Sequence, residues 1–439
     1  MPIPSTGLDR KTVLEELEHA RAHDADWRRG RTFSLVYYAG EDVLEIIRAA
    51  TSAYIHENGL SLDAFPSLRR FEREVLAFCA DLYGATTGSL TSGGTESILM
   101  AVKAARDHAR AHRPEVLAPE ILVPITAHPA FDKAAALLGI TIRHAPVCSD
   151  FRVDLPALAA LIRPETILIV GTAYTFPHGV VDPIPQLAAL AQQHGILCHV
   201  DACLGGFVLA FAGDAGGQPV EFDFRVPGVT SMSADLHKYG YAAKGASVVL
   251  YRDRALRKHQ FFVTTDWPGG IYGSPTMAGT RPGGAIAAAW AVIRYLGRDG
   301  YVRLTRVVLD TARRLREGVA DTPGLRIVGD PHHSVFAFTG DDSGAAPLDI
   351  FAVDERMRAR GWFLDRLQLP AAVQVIVTPA HEHVVDAFLA DLRAVTAEVR
   401  EGGLPAVADG AIYGALTSIP DRGLVRDLVL DWMDGLDQP

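Results

Sequence analysis

The sequence predicts an α/β fold: a large domain with a mainly parallel sheet covered by helices, followed by a smaller α+β domain at the C-terminal end. Three observations lead there. At 439 residues the chain exceeds one ordinary core. Short runs of almost wholly apolar, β-branched residues alternate with helical stretches, the pattern of parallel strands buried on both faces. After residue 320 the pattern changes to short strands with helices between them.

In chain order, the charged, weakly amphipathic stretch 11–26 predicts a helical N-terminal arm leading to a loop near Gly40. Helical periodicity follows at 42–57, 67–83 and 96–111. Strands are expected at 121–126, 166–172, 196–201, 229–234 and 246–251, each an apolar run of strand length. A helical pattern occupies 284–320, and R-I-V, S-V-F-A-F and V-Q-V-I-V-T between 326 and 378 read as strands of the smaller domain. The expected organisation is an arm and substrate-side segment at 1–60, a large cofactor-binding domain at 61–320 and a small domain at 321–439.

Composition narrows the function classes. A formal net charge of -10 without a basic run argues against a nucleic-acid surface. The four cysteines lack C-x-x-C spacing, which fits a reducing cytoplasm and neither a disulfide framework nor a zinc site, so no metal is expected. The N-terminal residues lack the apolar core of a signal peptide, and no apolar run reaches the roughly 18 residues of a membrane span. The expectation is a cytosolic protein without stable membrane insertion.

Open α/β sheets bind ligands beyond the carboxyl ends of their strands, and three polar clusters fall there. In T-S-G-G-T-E-S (91–97), Gly93 and Gly94 precede a helix whose free N–H groups suit a phosphate, although a plain glycine turn reads the same way. Asp201 closes the strand H-V-D, where an acid needs a cation or donors, or else serves as a cap. His237 and Lys238 follow the strand V-T-S-M-S-A. A phosphate cradle, a strand-end aspartate and a later strand-end lysine, in that order, are what a pyridoxal phosphate enzyme needs. The cofactor brings the electron sink, and the protein brings the lysine, the carboxylate for the ring nitrogen and the anion hole.

The motifs T-S-G-G-T-E-S-I-L-M-A, F-P-H-G-V-V-D-P-I, H-V-D-A-C-L-G-G-F, S-A-D-L-H-K-Y-G-Y-A-A-K-G and D-W-P-G-G-I-Y-G-S-P-T-M-A-G-T-R-P-G-G resemble the sphingosine-1-phosphate lyase family, from about residue 30 to G-A-I-Y-G at 410–414. The resemblance implies a fold-type I pyridoxal 5'-phosphate enzyme with a seven-stranded-type sheet, in the group II decarboxylase superfamily, working as a homodimer with shared active sites. It implies Lys238 as the Schiff-base lysine, His237 beside the cofactor phosphate, Asp201 at the ring nitrogen and His128 stacked on the ring. Gly94 and Thr95 would bind the phosphate from one subunit, and Gly279 and Thr280 from the other. Lys244 matches a second active-site lysine serving phosphate binding or proton handling, Tyr38 a tyrosine at the substrate, and Asn58 the first residue of a substrate motif.

That motif is Asn-Pro-Leu-His-Pro-Asp in the family and N-G-L-S-L-D (58–63) here, so Ser61 replaces a titratable histidine and Leu62 a proline. Ala173-Tyr174-Thr175 also replaces the family's Thr-Pro-Gln or Thr-Pro-Ser. The implied reaction is retro-aldol cleavage of a phosphorylated long-chain amino alcohol to phosphoethanolamine and a fatty aldehyde. The rivals are a decarboxylase or aldolase acting on a smaller amine, and a catalytically silent pyridoxal phosphate-binding protein.

Overall fold

The computed structural model describes residues 3, 5–61, 63–341, 348–402 and 409–435. Seven strands build the large sheet: β1 (Thr87–Thr91), β2 (Glu120–Pro124), β3 (Thr141–Ala145), β4 (Thr166–Thr172), β5 (Leu197–Asp201), β6 (Ser231–Ala234) and β7 (Ser247–Tyr251). Their order is β1-β7-β6-β5-β4-β2-β3. The neighbours β2/β3, β2/β4, β4/β5 and β5/β6 are parallel, and β7 alone runs against both of its neighbours. The carboxyl ends of β1, β2, β4, β5 and β6 therefore open on the same edge, and that edge carries the site.

Alternation along the strands sends side chains to two layers. Leu122, Ile169, Val200, Met232 and Leu250 pack with Leu68, Phe71, Ile286 and Val292 on one face. Ile121, Val123, Ile167 and Val170 pack with Ile98, Val102 and Phe131 on the other. Each such side chain removed from water contributes roughly 1.5–3 kcal/mol, which secures the strand register and hence the positions of the strand ends.

A short hairpin of β8 (Phe262–Thr264) and β9 (Tyr272–Ser274) follows, then the long helix Gly283–Ala320. Gly297 interrupts this helix with φ 54° and ψ -175°. The part before Gly297 packs in the large core through Ile286 and Val292, while Ala312, Leu315 and Val319 pack in a second core. That core lies against an antiparallel sheet of β10 (Leu325–Val328), β11 (Val335–Gly340), β12 (Asp365–Gln368) and β13 (Ala371–Ile376), in the order β10-β11-β13-β12.

The N-terminal segment joins the small sheet before it reaches the site. Phe33 is fully buried in the second core, stacked on His381 at 4.1 Å. Its N–H donates to Phe363 O at 2.9 Å and its carbonyl accepts from Ile376 N at 2.8 Å. Residues 35–38 leave this anchor at a defined point beside the large domain.

The helices expected at 42–57, 67–83 and 96–111 are observed as Glu41–Ala53, Pro66–Tyr83 and Gly94–His112, and the arm helix is Arg10–Ala20. The sequence reading omitted β1 and β3, the two edge strands. Among the described residues no helix is long and apolar enough to cross a membrane.

Candidate active site

A cavity of about 380 Å³ lies at the carboxyl ends of the strands. Its wall combines the turn Ser92–Glu96 after β1, His128 after β2, Thr172 and Tyr174 at the end of β4, Asp201 at the end of β5, and Asp235, His237 and Lys238 after β6. Sequence-distant residues meet because parallel strands deliver their ends side by side.

Lys238 Nζ lies 3.0 Å from Asp235 Oδ2, and His237 Nε2 lies 3.5 Å from the same oxygen. Burial alone would push the Lys238 pKa down, but the Asp235 carboxylate outweighs it and holds the ammonium above its ordinary value. Burial would likewise raise Asp235, and Lys238 and His237 together bring it below the carboxylate norm. Asp235 Oδ1 is buried without a hydrogen-bond partner among the described residues.

Asp201 is 4% exposed and accepts from Cys203 N at 3.0 Å and from the Ser233 hydroxyl at 3.3 Å. Two donors fix its orientation at the cavity wall. His128 Nδ1 accepts from Ala130 N at 3.1 Å, leaving the rest of the ring on the cavity. Burial and then the positive Lys238 lower the His128 pKa against the pull of Asp201, so the ring is neutral at physiological pH.

The turn after β1 fits an anion. No side chain caps the helix Gly94–His112, so its first N–H groups remain available at residues that line the cavity. A Cβ on Gly94 would stand 2.8 Å from Cys203 Sγ and 2.9 Å from Asp235 Oδ2, closer than real Cβ contacts allow. The adjacent Glu96 carboxylate accepts from Ser92 N at 2.6 Å and from Met277 N at 2.7 Å, with Ala278 N at 3.4 Å. One side chain thus ties the cradle to the loop that carries Gly279 and Thr280.

Of the residues singled out in the sequence, Gly94, Thr95, His128, Asp201, His237 and Lys238 line this one cavity. The others lie elsewhere. Lys244 Nζ donates to Leu35 O at 2.8 Å and sits 5.2 Å over the Tyr37 ring. Burial and the positive Lys238 lower its pKa. The Tyr38 hydroxyl donates to Glu41 at 2.7 Å and its ring meets Trp27, away from the cavity. Its neighbour Tyr37 packs edge-on against Tyr239 at 4.9 Å and is close enough to Lys238 to feel its charge. Asn58 closes a turn, its Oδ1 accepting from Leu60 N at 3.1 Å and Ser61 N at 3.2 Å. Leu62 lies outside the described residues. Gly279 and Thr280 do not line the cavity of their own chain.

Asp235, Glu96 and Tyr174 line the cavity but were not nominated from the sequence, nor was Tyr37, which packs nearby against Tyr239. Asp235 carried a signal, since it stands three residues before Lys238 on the same strand-end turn. Tyr174 is buried, its hydroxyl bonded to the Ser334 hydroxyl and its ring parallel to His333 at 6.2 Å.

The group implied by these residues is pyridoxal phosphate, and the donor set fits it: an uncapped helix start for the phosphate, an oriented carboxylate, a ring-sized wall at His128 and a lysine. Residues 10–340 match the family described as pyridoxal-dependent decarboxylase conserved domain. The chain is 43% identical over 99% of its length to a sphingosine-1-phosphate lyase of Arabidopsis thaliana, covering 80% of that protein. It is 37% identical over 99% of its length to that of Saccharomyces cerevisiae, covering 75% of it. A solved sphingosine-1-phosphate lyase of Burkholderia pseudomallei superposes with a TM-score of 0.90 at 36% identity, covering 100% of this chain and 98% of that one. A glutamate decarboxylase of Lactobacillus brevis, at 19% identity and a TM-score of 0.80, shares the fold. The chain belongs to the sphingosine-1-phosphate lyase family of pyridoxal phosphate-dependent enzymes.

Proposed function

We propose that the chain cleaves a phosphorylated long-chain amino alcohol of the sphingosine-1-phosphate type, by retro-aldol scission, to phosphoethanolamine and a fatty aldehyde. The observation that carries this reading is the convergence of Lys238, Asp201, His128 and the Ser92–Thr95 turn on one cavity, in a chain of this family.

Bound there, pyridoxal phosphate supplies the electron sink for the carbon left when the carbon–carbon bond breaks. Lys238 would hold the cofactor covalently, and Asp235 holds its Nζ at 3.0 Å. Asp201, held by Cys203 N and the Ser233 hydroxyl, would pair with the ring nitrogen and favour its protonated form. His128, whose pKa burial lowers, would stack on the ring. The N–H groups at Gly94 and Thr95, with His237 on the same cavity, would hold the phosphate. The substrate hydroxyl must lose its proton as the bond breaks; Lys244, which stands outside the cavity wall with its Nζ on Leu35 O, is assigned to phosphate binding or proton handling on the family motif.

We further assign the protein to a homodimer in which Gly279 and Thr280 reach the partner's phosphate. Their place outside the cavity of their own chain, on a loop tied to Glu96, supports this. The four cysteines are all free, which suits a cytoplasmic location.

Decarboxylation of a smaller amino acid is the second reading, favoured by the buried Tyr174 ring in the cavity wall. The two separate on products. Fatty aldehyde from sphingosine-1-phosphate supports the first, and carbon dioxide from an amino acid, without aldehyde, supports the second.

A further inference from the structure

At the β1 edge of the large sheet lies a second cavity of about 430 Å³ that shares no lining residue with the first. Five arginines line it, Arg69, Arg73, Arg254, Arg257 and Arg281, with Glu72 the one acid among its lining residues. In a chain of net charge -10 this is a local reversal of sign.

Two of these cations are balanced. Arg281, 6% exposed, donates to both Glu72 oxygens at 2.7 and 3.1 Å, and Arg69 meets Asp63 at 3.1 Å. Arg257 is not. Its half-buried guanidinium donates only to hydroxyls, to Thr87 Oγ1 at 3.1 Å and to Ser89 Oγ at 3.2 and 3.1 Å. Burial pushes its pKa down, and neighbouring Arg254 adds to that effect against the pull of Tyr251 and Glu72. The side chains of Arg73 and Arg254, both exposed, make no hydrogen bond or ion pair with any described residue. The partly desolvated Arg257 has no ion pair of its own, which is costly. Planar guanidinium forks match the oxygens of a phosphate.

We propose that this cavity binds a phosphate dianion, as inorganic phosphate or as the head of a small phosphate monoester, at a site separate from the cofactor cradle. It rests on its own charges and not on the reaction assigned above, although that reaction releases one such monoester. Pro275 and Arg281 both line the cavity and bracket the loop carrying Gly279 and Thr280. An anion here restrains that loop.

The test is titration calorimetry of the cofactor-loaded full chain with inorganic phosphate and, separately, with phosphoethanolamine, at an ionic strength held by chloride. Wild-type protein is expected to bind saturably, and Arg73→Ala/Arg254→Ala to bind about tenfold more weakly or worse. Turnover without added phosphate should stay at the wild-type level, since neither residue lines the cofactor cavity. Tighter binding of phosphoethanolamine identifies the monoester as the occupant, and equal binding identifies phosphate itself. Undiminished affinity in the double variant, or no saturable binding in wild type, overturns the proposal. Should the double variant not fold, Arg254→Glu alone makes the same comparison.

Discussion

Lys238 and Asp235 form a buried ion pair, Nζ to Oδ2 at 3.0 Å, on the turn that leaves β6. The carboxylate keeps the amine protonated, whereas attachment of an aldehyde cofactor needs the neutral amine. Asp235→Asn removes the charge and keeps the shape. The pH at which apoprotein takes up pyridoxal phosphate should then fall by about 1–3 units. Visible absorbance during a pH series reads this directly, and an upward shift would contradict the pairing.

Glu96 accepts three backbone N–H groups from two segments, Ser92 on the cradle and Met277 and Ala278 on the loop. Glu96→Ala leaves these donors unpaired and should cost roughly 1.5–3 kcal/mol in chemical unfolding. It should also speed loss of cofactor on dialysis. Normal retention of cofactor would mean that the link between cradle and loop has no bearing on binding.

Of the strands that end at the site, β4 and β5 were legible because they are central. β4 is apolar between its terminal threonines, β5 is buried but for its first residue, and both are flanked on both sides by strands. β1 and β3 escaped because they are the sheet's edges: T-G-S-L-T is hydroxyl-rich, and T-I-R-H-A is polar and only partly buried. The lysine, the aspartate and the glycine cradle were readable from motif order. The Asp235 pairing and the Glu96 link were not, since each depends on which way a side chain turns after its strand or helix start. Adjacent tyrosines posed the same problem, as sequence alone cannot say which of Tyr37 and Tyr38 faces inward.

That choice is testable. Tyr37 packs between Tyr239 and Lys244, and Tyr38 bonds Glu41 at the surface. Tyr37→Phe should lower kcat by roughly tenfold or more, within the range of a lost active-site proton or hydrogen-bond partner. Tyr38→Phe should leave kcat near wild type. Steady-state kinetics on the pair decides it, and the opposite ranking would place Tyr38 in the site.

Acid should unfold the protein through its buried histidines. His178, His199, His333 and His381 are buried, and burial lowers each from 6.5 to about 4. The unfolded chain therefore binds more protons between those values. The stability these groups contribute is complete above about 6.5 and is lost as pH falls toward 4. Full loss is worth roughly 3 kcal/mol per group. Asp182, raised by burial to about 6, works in the opposite direction, since its protonated form is favoured by the fold. Thermal unfolding should show Tm falling steadily below the histidine range, and His381→Phe should flatten that slope. A Tm independent of pH across this interval would contradict the assignment of neutral buried rings.

The most direct test of the account is simultaneous measurement of phosphoethanolamine and fatty aldehyde after cofactor-loaded protein is mixed with sphingosine-1-phosphate, alongside Lys238→Ala. The expected result is equal amounts of both products from wild type, with the rate reduced roughly 10⁴-fold or more in the variant. Absence of both products from wild type that carries its cofactor, or undiminished turnover by Lys238→Ala, would contradict it.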